Sequence, residues 1–379
     1  MANSTSDPVM ETNNVIDDNN EDWRKACLLD RNEFAFKNNL LTDVCFIVGE
    51  EKRRISANKI ILSLGSPVFA AMLSERWLSP ASEIEVPDIE PEAFYELLRF
   101  IYCEKVELHS SSPDAHSVLY AAKKYDVEAL KNKCVEFLSS TLSNSNVCFR
   151  LMKARYLQES ELIDLCCKTL SKAANIAISR YYTTTSTTSN EESFHAVDIE
   201  TICFILEMDQ LNIEEVDLYK AILSWADFEC VRQNLEGNKE DIKLVLERAL
   251  PLIRFRLMSP QEFTEVVSGT GILSIEEELS IFKYLCSKPR PENLRPTPRF
   301  EKLIDITFCD EVTGKSFHRQ TRHSTKVSKL QKGIFQIASI NDRVTSSKFV
   351  FLYHENILLN EAYLLSDYAI DNKSVISIG

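Results

Sequence analysis

With 379 residues, 44% hydrophobic and 26% charged, the chain has material for two or three cored domains and lacks a disordered composition. A formal charge of -14 argues against broad binding to nucleic acid or anionic membrane, because phosphate contacts need a basic face. Its 8 glycines leave little material for phosphate-cradling loops.

Residues 1–20 are polar and acidic, without the apolar segment or small-residue cleavage site of a secretory signal, and read as a disordered leader. The 11 cysteines are scattered, with no Cys-x-x-Cys pair, so reduced thiols in the cytoplasm or nucleus are expected and no metal or cofactor is implied. No apolar run approaches the roughly 20 residues needed to cross a bilayer.

From Glu21 to Asn39 a helix is predicted, packed either on its own domain or on a second copy. Val44–Val48 is a short apolar strand stopped by Gly49, and a second extended segment follows the charged turn Glu50–Arg54. A helix begins near Lys59, and Ser66-Pro67 breaks it, because a residue before proline avoids the helical region while proline suits a first turn. Val68, Phe69, Met72 and Leu73 carry the next helix, and Glu83–Val86 alternates as a strand. Pro91 opens an amphipathic helix with Phe94, Leu97, Leu98 and Ile101 on one face. Helices over Asp114–Tyr125 and Val127–Leu138 complete a domain spanning 21–142. Within Leu40–Trp77, two strands feeding a helical pair bury little apolar area alone, so pairing with a second copy is expected.

Residues 143–286 read as helical throughout. Helices are predicted at Asn146–Leu157, Glu161–Ser179, Ile199–Met208, Val216–Cys230, Lys239–Leu250, Pro260–Val267 and Ile275–Leu285. The Ser/Thr-rich stretch 180–196 cannot build a core and reads as a mobile loop. Residues 287–300, SKPRPENLRPTPRF, hold four prolines and read as a semi-rigid spacer. In 301–379, a strand at Leu303–Cys309, a turn at Thr313-Gly314 and a second strand form a hairpin. A helix from Val327 carries Leu330, Ile334 and Ile337 on one face. Strands at Phe349–Tyr353 and Val375–Ile378 follow, giving the order of a β-grasp domain.

Chemistry finds little support. Gly314-Lys315-Ser316 ends like a phosphate loop, but Cys309 stands where the first glycine belongs. His318 and His323 have no ligand set around them and read as solvent-facing strand residues. At least one of Cys166 and Cys167, adjacent on a helix, belongs to the core. Lys315, Arg319, Arg322, Lys326, Lys329 and Lys332 form a basic stripe, either a solvated face or a dock for an acidic partner.

Leu41, Asp43, Val44, Phe46, Val48, Ala57, Lys59, Leu62, Ser66, Phe69 and Met72, with the run PDIEPEAFYELLRFIYCEKVEL, resemble the BTB/POZ signature. Asn58 departs from it by standing where a histidine usually precedes the lysine. VDLYKAILSWADFEC, VLERALPLIRFRLMSPQEF and SIFKYLCSKPRP resemble BTB–BACK proteins that carry a C-terminal PHR β-sandwich. Here VTGKS, FVFLYHENILL and LLSDYAIDNKSVISI instead resemble ubiquitin-like proteins. The resemblance implies an α+β multidomain chain: an α/β BTB domain, an all-α BACK domain and a β-grasp domain.

By the same resemblance the protein is a non-enzymatic homodimeric adaptor of a cullin-3 ubiquitin ligase, with its third domain holding a protein substrate. The cullin-facing surface would include Met72, Trp77, Leu78 and Ser79 with part of 144–155, although Met72 equally suits a core position. Ser79 stands where cullin binders commonly carry glutamate; Glu75 lies nearby, and phosphorylation of Ser79 before Pro80 would restore the charge. The ubiquitin recognition patch maps onto Val312 and Leu352, with Ser377 and Gly379 at its other corners. Without a flexible glycine tail, conjugation through Gly379 is not expected. The alternative is an oligomeric scaffold or transcription cofactor that binds no cullin.

Overall fold

The computed structural model describes residues 21–74, 83–109, 114–183, 193–310, 314, 316–339, 352–371 and 373–378. They form two compact units that divide between Leu142 and Ser143. The leader at 1–20, most of the Ser/Thr loop, and the predicted strand residues 349–351 lie outside the described residues. No helix among the described residues is long and apolar enough to cross a membrane.

In the first unit a 3-10 turn at Glu21–Lys25 leads into α1 (Leu28–Lys37). Then come β1 (Val44–Val48), β2 (Arg53–Ala57), α2 (Lys59–Gly65), α3 (Pro67–Met72), β3 (Ile84–Val86), α4 (Pro91–Cys103), α5 (Ala115–Lys124) and α6 (Glu128–Ser140). Strand β1 lies centrally, antiparallel to β2 and parallel to β3. Its alternation turns Val44, Phe46 and Val48 into the core. There Phe46 meets Phe94 edge-on at 5.1 Å, and Phe69 stacks on Tyr125 at 4.2 Å. Each such pair adds about 0.5–1.5 kcal/mol beyond the area it buries. Ser66 divides α2 from α3: its Oγ accepts from Phe69 N at 3.1 Å and donates to Tyr125 O at 2.5 Å.

Helix α1 packs on its own unit. Phe36 is buried between Tyr95 and Tyr102, each ring at 4.8 Å. Lys105 pairs with Asp30 at 2.9 Å and Glu33 at 2.7 Å. Lys105, then Lys37, holds the Glu33 carboxyl down at about 2. Asn58, which replaces the expected histidine, keeps a polar contact of its own. Its backbone N–H donates to Tyr102 Oη at 2.6 Å, the Tyr102 hydroxyl donates to Asn58 Oδ1 at 2.8 Å, and its amide donates to Leu41 O.

The second unit opens with α7 (Val147–Tyr156), α8 (Ser160–Thr183), α9 (Ile199–Glu207), α10 (Glu215–Arg232), α11 (Lys239–Leu246), α12 (Pro260–Val266) and α13 (Ile275–Cys286). Helix α11 stops earlier than its periodicity predicts, and Leu250–Leu252 turns as 3-10 helix around Pro251. Helix α8 kinks at Ala173, where Asn212 takes over the ladder: Asn175 N–H donates to Asn212 O and Asn212 Nδ2 donates to Lys172 O, both at 3.0 Å. Trp225 is fully buried and donates to Val197 O at 2.9 Å. Both α12 and α13 start with a capping box, Ser259 with Glu262 and Ser274 with Glu277.

The same unit continues into β4 (Leu303–Asp310), β5 (Ser316–Arg322), α14 (Val327–Ser339), β6 (Leu352–His354), β7 (Ile357–Leu358) and β8 (Val375–Ile378). The sheet order is β5-β4-β8-β6-β7, with β8 parallel to β4 at its centre. That is the β-grasp order. Ile304, Ile306 and Phe308 from β4 join Leu330, Ile334, Leu352 and Ile376 in its core. Strand β7 was not predicted. It arises because Glu355 and Asn356 both take positive φ, 50° and 64°, and close a two-residue hairpin.

Removing the hydroxyl with Tyr102→Phe should leave Asn58 N–H and Oδ1 without this partner and cost about 1–3 kcal/mol. Urea denaturation followed by circular dichroism checks this; an unchanged midpoint contradicts it. His195 stacks on Phe228 at 4.1 Å and its Nε2 lies 3.0 Å from Ser224 Oγ. Burial, then the charge of Arg232, pushes its imidazole from 6.5 down to about 4. The unfolded chain therefore takes up this proton at a higher pH than the folded one. The stability His195 contributes is present above pH 6.5 and is lost as pH falls toward 4. Melting temperatures at pH 7.5 and 5 should converge more in His195→Asn than in the native chain, and equal slopes would rule this out.

Candidate interaction site

In the first unit the unpartnered feature is apolar. Helix α2 buries Leu62 completely yet presents Ile60 at 70% and Leu64 at 84% exposure, four residues apart on one side. Leu41, at 93%, is exposed as well. Met72 ends α3 half-buried, with the next residue, Leu73, in the core. Trp77, Leu78 and Ser79 lie outside the described residues.

Two expected surfaces are corrected. Leu352, placed by resemblance on a recognition patch, is fully buried in the sheet core. Its side chain faces α14 and offers nothing to a partner, while Val312 and Gly379 lie outside the described residues. The basic residues do not form one stripe. Arg319 sits opposite Ile306 on the core side of β5, whereas Arg322 sits opposite Leu303 on the other face and pairs with Glu301 at 2.6 Å. Residues three apart on a strand must diverge in this way. Lys326, Lys329 and Lys332 are exposed around the start of α14, and Lys315 is outside the described residues.

A dense polar construction lies where sequence pattern gives no sign of one. The proline-rich segment is fastened to the helices, not free as a spacer. Arg299 is 2% exposed and each of its five N–H donors has a partner. Nε reaches Glu215 Oε2 at 2.7 Å and Nη2 reaches Glu215 Oε1 at 3.1 Å and Leu252 O at 3.2 Å. Nη1 reaches Leu206 O at 2.6 Å and Met208 O at 3.1 Å. The backbone adds Leu211 N–H to Arg299 O at 2.9 Å.

Toward the sheet, Arg295 Nε donates to Asp367 Oδ1 at 2.8 Å and its Nη2 to Oδ2. Asp367 is 1% exposed and also accepts from Leu364 N at 2.8 Å. Arg290 N–H donates to Asp367 O at 2.8 Å, and Lys302 bridges Glu214 at 3.1 Å to Asp371 at 3.3 Å. Between these fastenings opens a cleft of about 920 Å³, with Met258, Tyr284, Arg290, Pro296, Pro298 and His323 among its walls. His323 follows β5 and is half-buried, so it is not the solvent-facing strand residue expected; burial lowers its basicity.

Burial pushes the thiols of Cys134, Cys148 and Cys166 up to about 12, far from thiolate reactivity. Cys166 is fully buried, as one of its pair was expected to be. Among the described residues, no group of three or more His, Cys, Asp and Glu could hold a metal ion.

The described residues thus combine an exposed apolar helix face, a helical block and a polar cleft. A BTB/POZ domain model matches residues 33–142, and the "BTB And C-terminal Kelch" (BACK) model matches 158–268. The chain belongs to the BTB/POZ–BACK proteins. It is 36% identical over 298 residues to BTB/POZ domain-containing protein 6-A of Danio rerio, covering 76% of this chain and 52% of the relative. It is 33% identical over 285 residues to the Homo sapiens BTB/POZ domain-containing protein 3, covering 75% and 52% respectively. The chain thus spans about half the length of the curated relatives it matches. Neither family model reaches the C-terminal sheet.

Arg299→Ala should strand Glu215 in a dry site and destabilise the second unit by about 3–5 kcal/mol, as for other broken buried pairs. Arg299→Lys should not restore the loss, since an ammonium cannot supply the planar five-donor fork. Scanning calorimetry with limited proteolysis at 287–300 checks both; native-like resistance in Arg299→Ala would contradict the assignment.

Proposed function

We propose that the chain is a non-enzymatic adaptor that dimerises through its BTB domain, binds cullin-3 through the BTB and the first BACK helices, and holds a partner protein on its C-terminal half. The observation that carries this reading is the Ile60–Leu64 face of α2, a paired apolar surface left exposed in a small domain. Family membership supports the adaptor role, because BTB and BACK domains are interaction modules. On this reading Met72 with Trp77, Leu78 and Ser79 forms the cullin contact, and aromatic Trp77 carries much of its energy. The protein works in the cytoplasm or nucleus without a cofactor.

A second reading, an oligomeric scaffold or transcription cofactor that binds no cullin, is favoured by one departure. Ser79 stands where an acid is common. Equal cullin-3 binding by Ser79→Ala and Ser79→Glu chains would remove phosphorylation there as a switch.

Sedimentation of the full chain should give a dimer, and Ile60→Asp combined with Leu64→Asp should give a monomer with unchanged helix content. A native monomer at about 10 µM would end the dimer reading. Titration of the native chain with the cullin-3 N-terminal domain should give a Kd of ~10 µM or tighter, about 7 kcal/mol. Absence of heat at that level would favour the scaffold.

A further inference from the structure

The proline-rich segment buries two arginines in opposite states. Arg299 has all five donors matched, as described above. Arg290, 8% exposed, has no side-chain hydrogen bond or ion pair among the described residues, and its Nε is buried without an acceptor. Its guanidinium lies over the Tyr284 ring, 5.5 Å from the centroid. Arg256, half-buried, lies over the same ring at 5.6 Å and likewise has no carboxylate partner among the described residues. Both line the 920 Å³ cleft.

The nearby acids accept their hydrogen bonds from other donors, and Asp367 acts on the Arg290 guanidinium through its charge alone. Asp367 gives both oxygens to Arg295 and Leu364 N. Glu215 is committed to Arg299 and Arg254 N, and Asp371 and Glu214 to Lys302. Burial pulls the Arg290 guanidinium down from its usual range, with Tyr284 and Asp367 opposing, yet arginine stays charged. A buried cation without a matched acceptor costs free energy that an incoming oxyanion would recover.

We propose that Arg256, Tyr284 and Arg290 form a subsite for one oxyanion, a carboxylate or a phosphate, presented by an extended segment of a partner protein. The charge pattern limits the ligand to one such group. Glu214, Glu262, Glu301 and Asp371 also line the cleft and would repel a polyanion such as RNA. Pro296, Pro298 and Met258 offer an apolar wall suited to a peptide backbone running past the anion. The assignment is independent of dimerisation and of cullin binding.

The test uses the full chain and three nine-residue peptides that differ only at the central position: phosphoserine, glutamate or serine. Calorimetry at low salt should show at least one acidic peptide binding ~10-fold or more tightly than the serine peptide, since charge-assisted hydrogen bonds to guanidinium are strong. Tighter binding of phosphoserine assigns a phosphorylated partner, and tighter binding of glutamate an acidic one. Arg290→Gln and Arg256→Gln should each abolish the preference. Arg256 is only half-buried, so its variant keeps the test valid where Arg290→Gln fails to fold. Equal binding of all three peptides, binding by none, an unchanged preference in Arg256→Gln, or stronger binding of oligouridylate would overturn the proposal.

Discussion

A buried ion pair registers the second unit. Arg299 and Glu215 lie 84 residues apart in sequence and meet through two parallel hydrogen bonds, with side-chain exposures of 1% and 2%. Such a pair adds little net stability over a well-packed apolar alternative, because desolvation offsets most of the attraction. What it supplies is position. The guanidinium also holds the carbonyls of Leu206, Met208 and Leu252, so the segments after α9 and around Pro251 are registered on one group. The proline-rich segment then leads on to Arg295, whose fork on Asp367 carries the same registration into the sheet domain. Helices and sheet therefore belong to one compact unit although their cores are separate.

This explains which parts of the molecule could be read from the chain. Periodicity is a local property, so α4, α7, α10 and α13 were legible from apolar spacing, and Ser66-Pro67 marked the break between α2 and α3. The β-grasp order was legible because β4, α14 and β8 each carry their own apolar pattern. The hairpin at Glu355-Asn356 was not, since neither residue advertises positive φ as glycine does. Arg299 was invisible for a different reason: a satisfied buried arginine and a solvated one look alike in sequence. The four prolines suggested a spacer, whereas the segment is fastened at Arg295 and Arg299.

The misplaced surface residues share that logic. Leu352 was assigned outward by analogy of position, but β6 pairs with β8 in the register Leu352↔Ile378, and this puts Leu352 on the α14 side. One residue of register decides core or surface on a strand. The basic stripe failed through the same period of two at Arg319 and Arg322, while the three-residue spacing of Lys326, Lys329 and Lys332 suits the helix that follows.

The two units consequently offer different physics to partners. The first exposes Ile60 and Leu64 on a rigid helix whose inner residue, Leu62, is fully buried, so covering that face gains apolar burial at little ordering cost. Association of this kind suits a lasting partner. The second offers a cleft in which the guanidiniums of Arg256 and Arg290 lie over the Tyr284 ring. If the proposed subsite takes an oxyanion, it discriminates more than it grips, because a neutral group would leave the buried Arg290 Nε without an acceptor. The exposed apolar helix face and the polar cleft thus belong to different units, and each can be altered without touching the other's residues.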